Sequence, residues 1–178
     1  MRASSEYIVK SIQATLAEDV ENTEKFVDHI LAARKVFLYG VGRSGLIAKA
    51  FAIRLVQMGL EVFFVGETVT PIVEEGNVVI IVSYTGETMS ATQTANIVRR
   101  VGAKVVAITA HGHSKLAAAS NLVIEINPPK DEDRKRLAPL GTLFEDATLV
   151  YLDGIVATLM EKLGQSEGSM RKRHAIWV

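Results

Sequence analysis

The sequence predicts an α/β fold: a single domain on a five-stranded parallel sheet flanked by helices on both faces, with an extra N-terminal helical segment. Three observations lead there. Five short apolar runs alternate with stretches of helical periodicity. Runs such as Val78-Val79-Ile80-Ile81-Val82 are apolar at every position, as in strands buried on both faces of a parallel sheet. Glycines or small hydroxyl residues follow the first and third runs directly, where an open parallel sheet carries its ligands.

The elements follow in order. Ile8, Ile12, Leu16 and Val20 recur every four residues, and Phe26, Val27, Ile30 and Leu31 continue an apolar stripe, so residues 1–34 read as helical. A break over 19–23 makes two helices of it. Such a stripe packs on the α/β core or on another subunit; near-zero net charge and the lack of a membrane signal favour the subunit contact. Val36 to Tyr39 is the first strand and Leu46 to Met58 its helix. Glu61 to Val65 and Val78 to Val82 are the second and third strands. Thr88 to Val101 is helical, with Gly102 as its terminator. Lys104 to Thr109 is the fourth strand, Ser114 to Ala119 a short helix, and Leu122 to Ile126 the fifth strand. The segment from Asn127 to Leu140 holds three prolines and a charged run, an excursion long enough to have a function. Phe144 to Leu163 is a long last helix, ended by the glycines of 164–168. The α/β domain thus spans 35–163, and 164–178 is a C-terminal tail.

Composition sets limits. The 178 residues suffice for one domain that buries roughly two-thirds of its unfolded surface. Twenty basic and twenty acidic residues cancel, which argues against a nucleic-acid partner; the run Arg171-Lys172-Arg173-His174 reads as a solvated tail. There are no cysteines, excluding disulfides, thiolate catalysis and cysteine-ligated zinc and pointing to a reducing compartment. No apolar run approaches the ~18 residues that span a bilayer, and the polar N-terminus is no secretory segment. A soluble cytoplasmic protein with no membrane partner is the expectation.

Two loops carry chemistry. The third strand runs into Ser83-Tyr84-Thr85-Gly86-Glu87-Thr88 and then a helix. A helix N-terminus collects anions, and the hydroxyls of Ser83, Thr85 and Thr88 donate to phosphate oxygens. Helix capping explains one such hydroxyl but not three in six residues. Glu87 suits a phosphate only through its backbone N–H, with the carboxylate turned away. The first strand runs into Gly40-Val41-Gly42-Arg43-Ser44-Gly45, a G-x-G-x-x-G pattern, and Glu67 stands where a dinucleotide fold keeps its ribose-binding acid. The chain has no room for a second substrate domain, however, and a nicotinamide site leaves the hydroxyl loop unexplained. Arg43 and Ser44 suit a small phosphorylated ligand, with a surface ion pair as the alternative for Arg43. No P-loop is present.

Glu145 opens the last helix. The helix dipole favours an acid there regardless of ligand; a carboxylate desolvated beside a pocket and tuned as a general base is the other reading. His29 belongs to a solvated helix face, His174 to the basic tail, and His111 and His113 flank Gly112 without the carboxylates of a metal site.

The order GVGRSG, FFVGETVTP, VVIIVSYTGET, GTLFEDATLVYLDGIVA and RKRHA closely resembles the 6-phospho-3-hexuloisomerases of the sugar isomerase (SIS) domain superfamily, over nearly the whole chain. The resemblance implies a single SIS domain and the interconversion of D-arabino-hex-3-ulose 6-phosphate and D-fructose 6-phosphate, with no metal and no organic cofactor. It implies a homodimer or homotetramer with sites near subunit boundaries, and a role in formaldehyde fixation by the ribulose monophosphate pathway or in pentose phosphate supply. By the same resemblance the hydroxyls of Ser83, Thr85 and Thr88 and the intervening backbone of Tyr84, Gly86 and Glu87 hold the phosphate, with Ser44 as the other substrate-binding serine. Glu145 matches the proton acceptor, and His174 a C-terminal histidine brought in from a neighbouring subunit. Two departures stand out: Tyr84 occupies a position where the family commonly carries a small residue, and the tail reads Ala175-Ile176-Trp177-Val178 in place of alanine-asparagine-leucine. On the residues alone, a non-catalytic sugar-phosphate sensor, an isomerase of another phosphosugar and a nicotinamide oxidoreductase remain as alternatives.

Overall fold

A computed structural model describes residues 2–17 and 19–174. Five strands, β1 (Val36–Gly40), β2 (Val62–Phe64), β3 (Val78–Val82), β4 (Lys104–Thr109) and β5 (Leu122–Glu125), form one parallel sheet in the order β2-β1-β3-β4-β5. The eight helices among the described residues are α1 (Arg2–Thr15), α2 (Thr23–Ala32), α3 (Gly42–Gln57), α4 (Met89–Arg100), α5 (Lys115–Ala118), α6 (Arg134–Leu137), α7 (Thr142–Lys162) and α8 (Glu167–Arg171).

Alternate strand residues feed two cores, because successive side chains point to opposite faces. Val36, Leu38, Val78, Ile80, Val106 and Ile108 join Phe26 and Ile30 of α2, Phe51 and Leu55 of α3, and Phe144, Leu152 and Ile155 of α7. Phe37, Val79, Ile81, Val105 and Ala107 meet Ala91, Ala95 and Val98 of α4 and Leu116 of α5. The N-terminal helices therefore bury apolar residues in the core of their own chain. Asn22, in the left-handed region at the break between them, extends its Nδ2 to the Val123 carbonyl at 3.3 Å and covers the β5 edge. At the other edge Lys49 Nζ lies 4.6 Å from the Phe64 ring centroid and 3.4 Å from Glu67, so Glu67 is engaged in an ion pair. No helix among the described residues is long and apolar enough to cross a membrane.

Three local features differ from the expectation. Helix α3 begins at Gly42, inside the glycine motif, rather than at Leu46, so the first loop is scarcely more than Val41. The proline-bearing excursion contains α6. The glycines after α7 do not leave a free tail: Ser166 starts α8 with a reciprocal capping box to Ser169. Arg173 Nη1 then donates to the Gln57 carbonyl at 3.1 Å, satisfying an orphan acceptor at the end of α3. Arg173 thus ties the basic run to α3, while all four residues of the run stay exposed as expected of a solvated segment. Residues 175–178 lie outside the described residues.

Candidate active site

Strand order reverses between β1 and β3, and in such sheets ligands occupy the crevice beyond the strand ends at that point. Both sequence loops open there. In the first, a Cβ on Gly40 would lie 2.8 Å from Gly45 Cα, and one on Gly45 2.5 Å from the Gly40 carbonyl oxygen. Only glycine lets the end of β1 and the first turn of α3 touch backbone to backbone. That contact turns Ser44 inward, buried, and leaves Arg43 at the rim.

The second loop is braced by its own hydroxyls. Ser83 Oγ accepts from the Gly86 N–H at 3.2 Å and reaches Thr88 Oγ1 at 3.4 Å. Thr85 Oγ1 accepts from the Glu87 N–H at 3.2 Å. Thr88, the N-cap of α4, makes no side-chain cap bond, so capping does not account for these residues. Gly86 has φ +64°, and a Cβ there would fall 2.0 Å from Ser114 Oγ, which fixes its identity twice over. The Glu87 carboxylate turns away and accepts from Lys115 Nζ at 2.8 Å and from its N–H at 3.1 Å. Those bonds hold its pKa below the ordinary carboxylate range. Tyr84 sends its ring out of the loop toward Phe144. Ser44, Ser83, Thr85 and Thr88, together with Tyr84, line one cavity of about 150 Å³ between the two loops.

Glu145 lies in the first turn of α7 and is 7% exposed. Arg43 Nε donates to Glu145 Oε2, and Arg43 Nη2 stands 3.9 Å from Asp146 Oδ1. The bond to Glu145 raises the Arg43 pKa above its already high ordinary value. Asp146 is held above the usual carboxylate range chiefly by burial, with Arg43 opposing and Glu145 adding to the rise. Through Arg43, the buried carboxylate is tied to the residue beside Ser44. Hydroxyls that can donate to an anion and a buried carboxylate that can act as a base are the groups that proton transfer on a phosphorylated substrate requires.

His174 does not join this group. It lines hollows beside Arg54, Gln57 and Asp153 and beside Ile53 and Val56, near the far end of α3. From Ser44 to Gln57 that helix is about 20 Å long. His111 and His113 line a neighbouring cleft with Glu125 and Lys130, which borders the second loop at Thr85 and Glu87. Among the described residues no cluster of His, Asp and Glu can hold a metal. Sequence reasoning left Arg43 undecided and missed Arg134, which donates to the Tyr84 hydroxyl at 2.8 Å. The first had a signal in its place beside Ser44. The second had none, because the path of the excursion back to the site is a tertiary property.

The SIS domain family model matches residues 29–149. A 3-hexulose-6-phosphate isomerase of Bacillus subtilis is 39% identical over 159 residues, 87% of this chain and 86% of its own. A protein of that name from Methylomonas aminofaciens is 32% identical over 178 residues, 98% of each chain. A crystal structure of a Methanococcus jannaschii protein, with an inferred function of 3-hexulose-6-phosphate isomerase, superimposes with TM-score 0.84 at 31% identity, over 98% of this chain and 97% of that one. With the family model matching 29–149 and relatives above 30% identical over most of its length, the chain belongs to the SIS domain family.

Proposed function

We propose that this chain is a cytoplasmic isomerase interconverting D-arabino-hex-3-ulose 6-phosphate and D-fructose 6-phosphate. Relatives named for that activity match it nearly end to end. The observation that carries the reading is a buried carboxylate, Glu145, tied by Arg43 to the edge of a cavity lined by four hydroxyls. The phosphate end of the sugar takes the hydroxyls of Ser44, Ser83, Thr85 and Thr88, and this fixes the middle carbons relative to the base. At about 150 Å³ the cavity is small beside ligand pockets of roughly 300–1,000 Å³, so it suits the phosphate end, with the rest of the sugar at the rim.

The chemistry follows from the substrate. With O6 phosphorylated, the 3-ulose cannot close a five-membered ring through O6 and enters open-chain. Glu145 removes the proton from C2, and the C–H electrons form the C2=C3 bond of a cis-enediol while the C3 oxygen takes a proton. The Glu145 carboxylic acid then returns its proton to C3, and loss of the O2 proton leaves the C2 carbonyl. His174 of a neighbouring copy, or a backbone donor, serves the oxygens. The proposed assembly is a homodimer or homotetramer, supported by exposed apolar residues Leu46, Ile53 and Val56 along α3, 64%, 58% and 45% exposed.

The test supplies the 3-ulose 6-phosphate and couples fructose 6-phosphate formation to glucose 6-phosphate. The wild type is expected to turn over. Glu145→Gln should lower kcat by about a hundredfold or more with KM nearly unchanged. Full turnover by that variant removes Glu145 from the mechanism.

A further inference from the structure

Tyr84 interrupts a loop of small residues; it lines the same cavity as they do and reaches a second neighbourhood as well. Its hydroxyl accepts a hydrogen bond from Arg134 Nη1 at 2.8 Å. Its ring centroid lies 5.3 Å from that of Phe144, the residue before Glu145, and 5.8 Å from that of His111. Its carbonyl accepts from the Ala110 N–H at 3.1 Å and from Thr109 Oγ1 at 3.2 Å. The backbone of Tyr84 is therefore pinned from the sheet, and its side chain from above.

Arg134 belongs to α6, the one turn of helix in the excursion between β5 and α7, and this turn is itself anchored. Asp131 Oδ1 accepts from the Arg134 N–H at 3.0 Å and from the Tyr7 hydroxyl of α1 at 2.8 Å. The Ser4 hydroxyl donates to the Leu137 carbonyl. A continuous line of contacts thus runs from the N-terminal helix through α6 and Arg134 to the middle of the phosphate loop. That loop has no regular structure between β3 and α4 and is held by individual bonds, such as those from the Gly86 N–H to Ser83 Oγ and from the Leu116 N–H to the Gly86 carbonyl.

We propose that Arg134 is a positioning residue: through the Tyr84 hydroxyl it holds the loop 83–88 in its phosphate-binding form before the ligand arrives. The inference rests on the reading of this loop as the phosphate anchor. A loop already held has less freedom to lose on binding, and the gain appears as affinity. The tether also fits the sequence, since a small residue at position 84 would give Arg134 nothing to hold.

The experiment compares the wild type, Tyr84→Phe, Arg134→Gln, Arg134→Lys and the double variant Tyr84→Phe/Arg134→Gln, all full length. Tyr84→Phe keeps the ring against Phe144 and removes one oxygen. Two readouts are taken: the rise in Tm produced by fructose 6-phosphate and by inorganic phosphate, and KM and kcat measured separately. Each of Tyr84→Phe and Arg134→Gln should weaken fructose 6-phosphate binding and raise KM by about threefold to tenfold, the range of one lost hydrogen bond. The change falls on KM rather than on kcat. The double variant should bind no more weakly than the weaker single one, because both remove the same bond, and Arg134→Lys should recover part of the affinity. Unchanged affinity in both single variants, losses that simply add, or a fall in kcat at constant KM each overturn the proposal. A wild type that gains no thermal protection from either compound would overturn the phosphate anchor itself, and the tether with it.

Discussion

Glu145 and Asp146 are neighbours in sequence with different surroundings. Glu145 is buried and bonded to Arg43, whereas Asp146 is half-buried and sees the same guanidinium only at 3.9 Å. Burial, the first cause, raises the Asp146 pKa, and Glu145 adds to the rise. The folded state therefore holds the Asp146 proton more tightly than the unfolded chain does. This contribution to stability is present below the ordinary aspartate pKa near about 4 and is lost as pH rises through the higher folded value. Asp146→Asn removes the titration, so the variant should gain on the wild type from about pH 4 toward neutrality. Melting temperatures of both proteins across that interval test it, and a constant difference between them would place the cost of burial elsewhere. At this scale the sequence was informative about residue types and silent about pairs. Glu145 and the three loop hydroxyls stand out by kind and spacing. The bond from Arg43, 102 positions away along the chain, depends on α3 and α7 lying side by side.

Elements whose burial is total were the most legible. Strands β3 and β4 run over the residues expected, because an unbroken apolar run between turns has one stable home in a parallel sheet. The short elements α6 and α8 were not legible: each is one turn, held by partners distant in sequence or by a cap between two glycines, and a turn has no periodicity to read. The break between α1 and α2 was visible, but not what α2 rests on. There Tyr151 of α7 stacks against Phe26 at 6.4 Å between ring centroids and meets Thr23 Oγ1 at 3.1 Å. Burial pushes its pKa up to about 12. The stabilising contribution is complete below the unfolded value near ~10 and is lost as pH climbs through about 12, a change on the order of 3 kcal/mol. Tyr151→Phe should cost about 0.5–1.5 kcal/mol at neutral pH for the bond to Thr23. Above about pH 10 the deficit should shrink and then reverse. Urea unfolding of both proteins at neutral and alkaline pH measures it; a deficit independent of pH would mean that the phenol ionises as readily in the fold as outside it.

For the whole molecule, the site and the last proposed catalytic group lie toward opposite ends of α3. Ser44 and Arg43 stand at its start, while His174 lines hollows with Gln57 and Val56 near its end. A helix of about 20 Å between them prevents one copy from bringing its own His174 to its own Glu145 in this arrangement. The apolar face of α3 lies between the two, and exposed Val69 and Ile72 of the segment after β2, 84% and 76% exposed, add to the chain's uncovered apolar surface. A second copy that covers α3 would bring its His174 toward the neighbouring cavity, which is the arrangement proposed. Complementation distinguishes it from a self-contained site. Glu145→Gln should be nearly inactive, and His174→Gln should lose about tenfold or more in kcat. When equal amounts of the two variants are dissociated and reassembled together, half of the twofold pairs are mixed. Each mixed pair has one site with both defects and one with neither, so about a quarter of all sites should regain full turnover. Ile53→Asp, which places a charge on the proposed contact, should lower the mass measured by light scattering and abolish that recovery. Activity in the mixture no higher than the mean of the separate variants would mean that each site is built from one chain, and full activity of His174→Gln would remove that histidine from the chemistry.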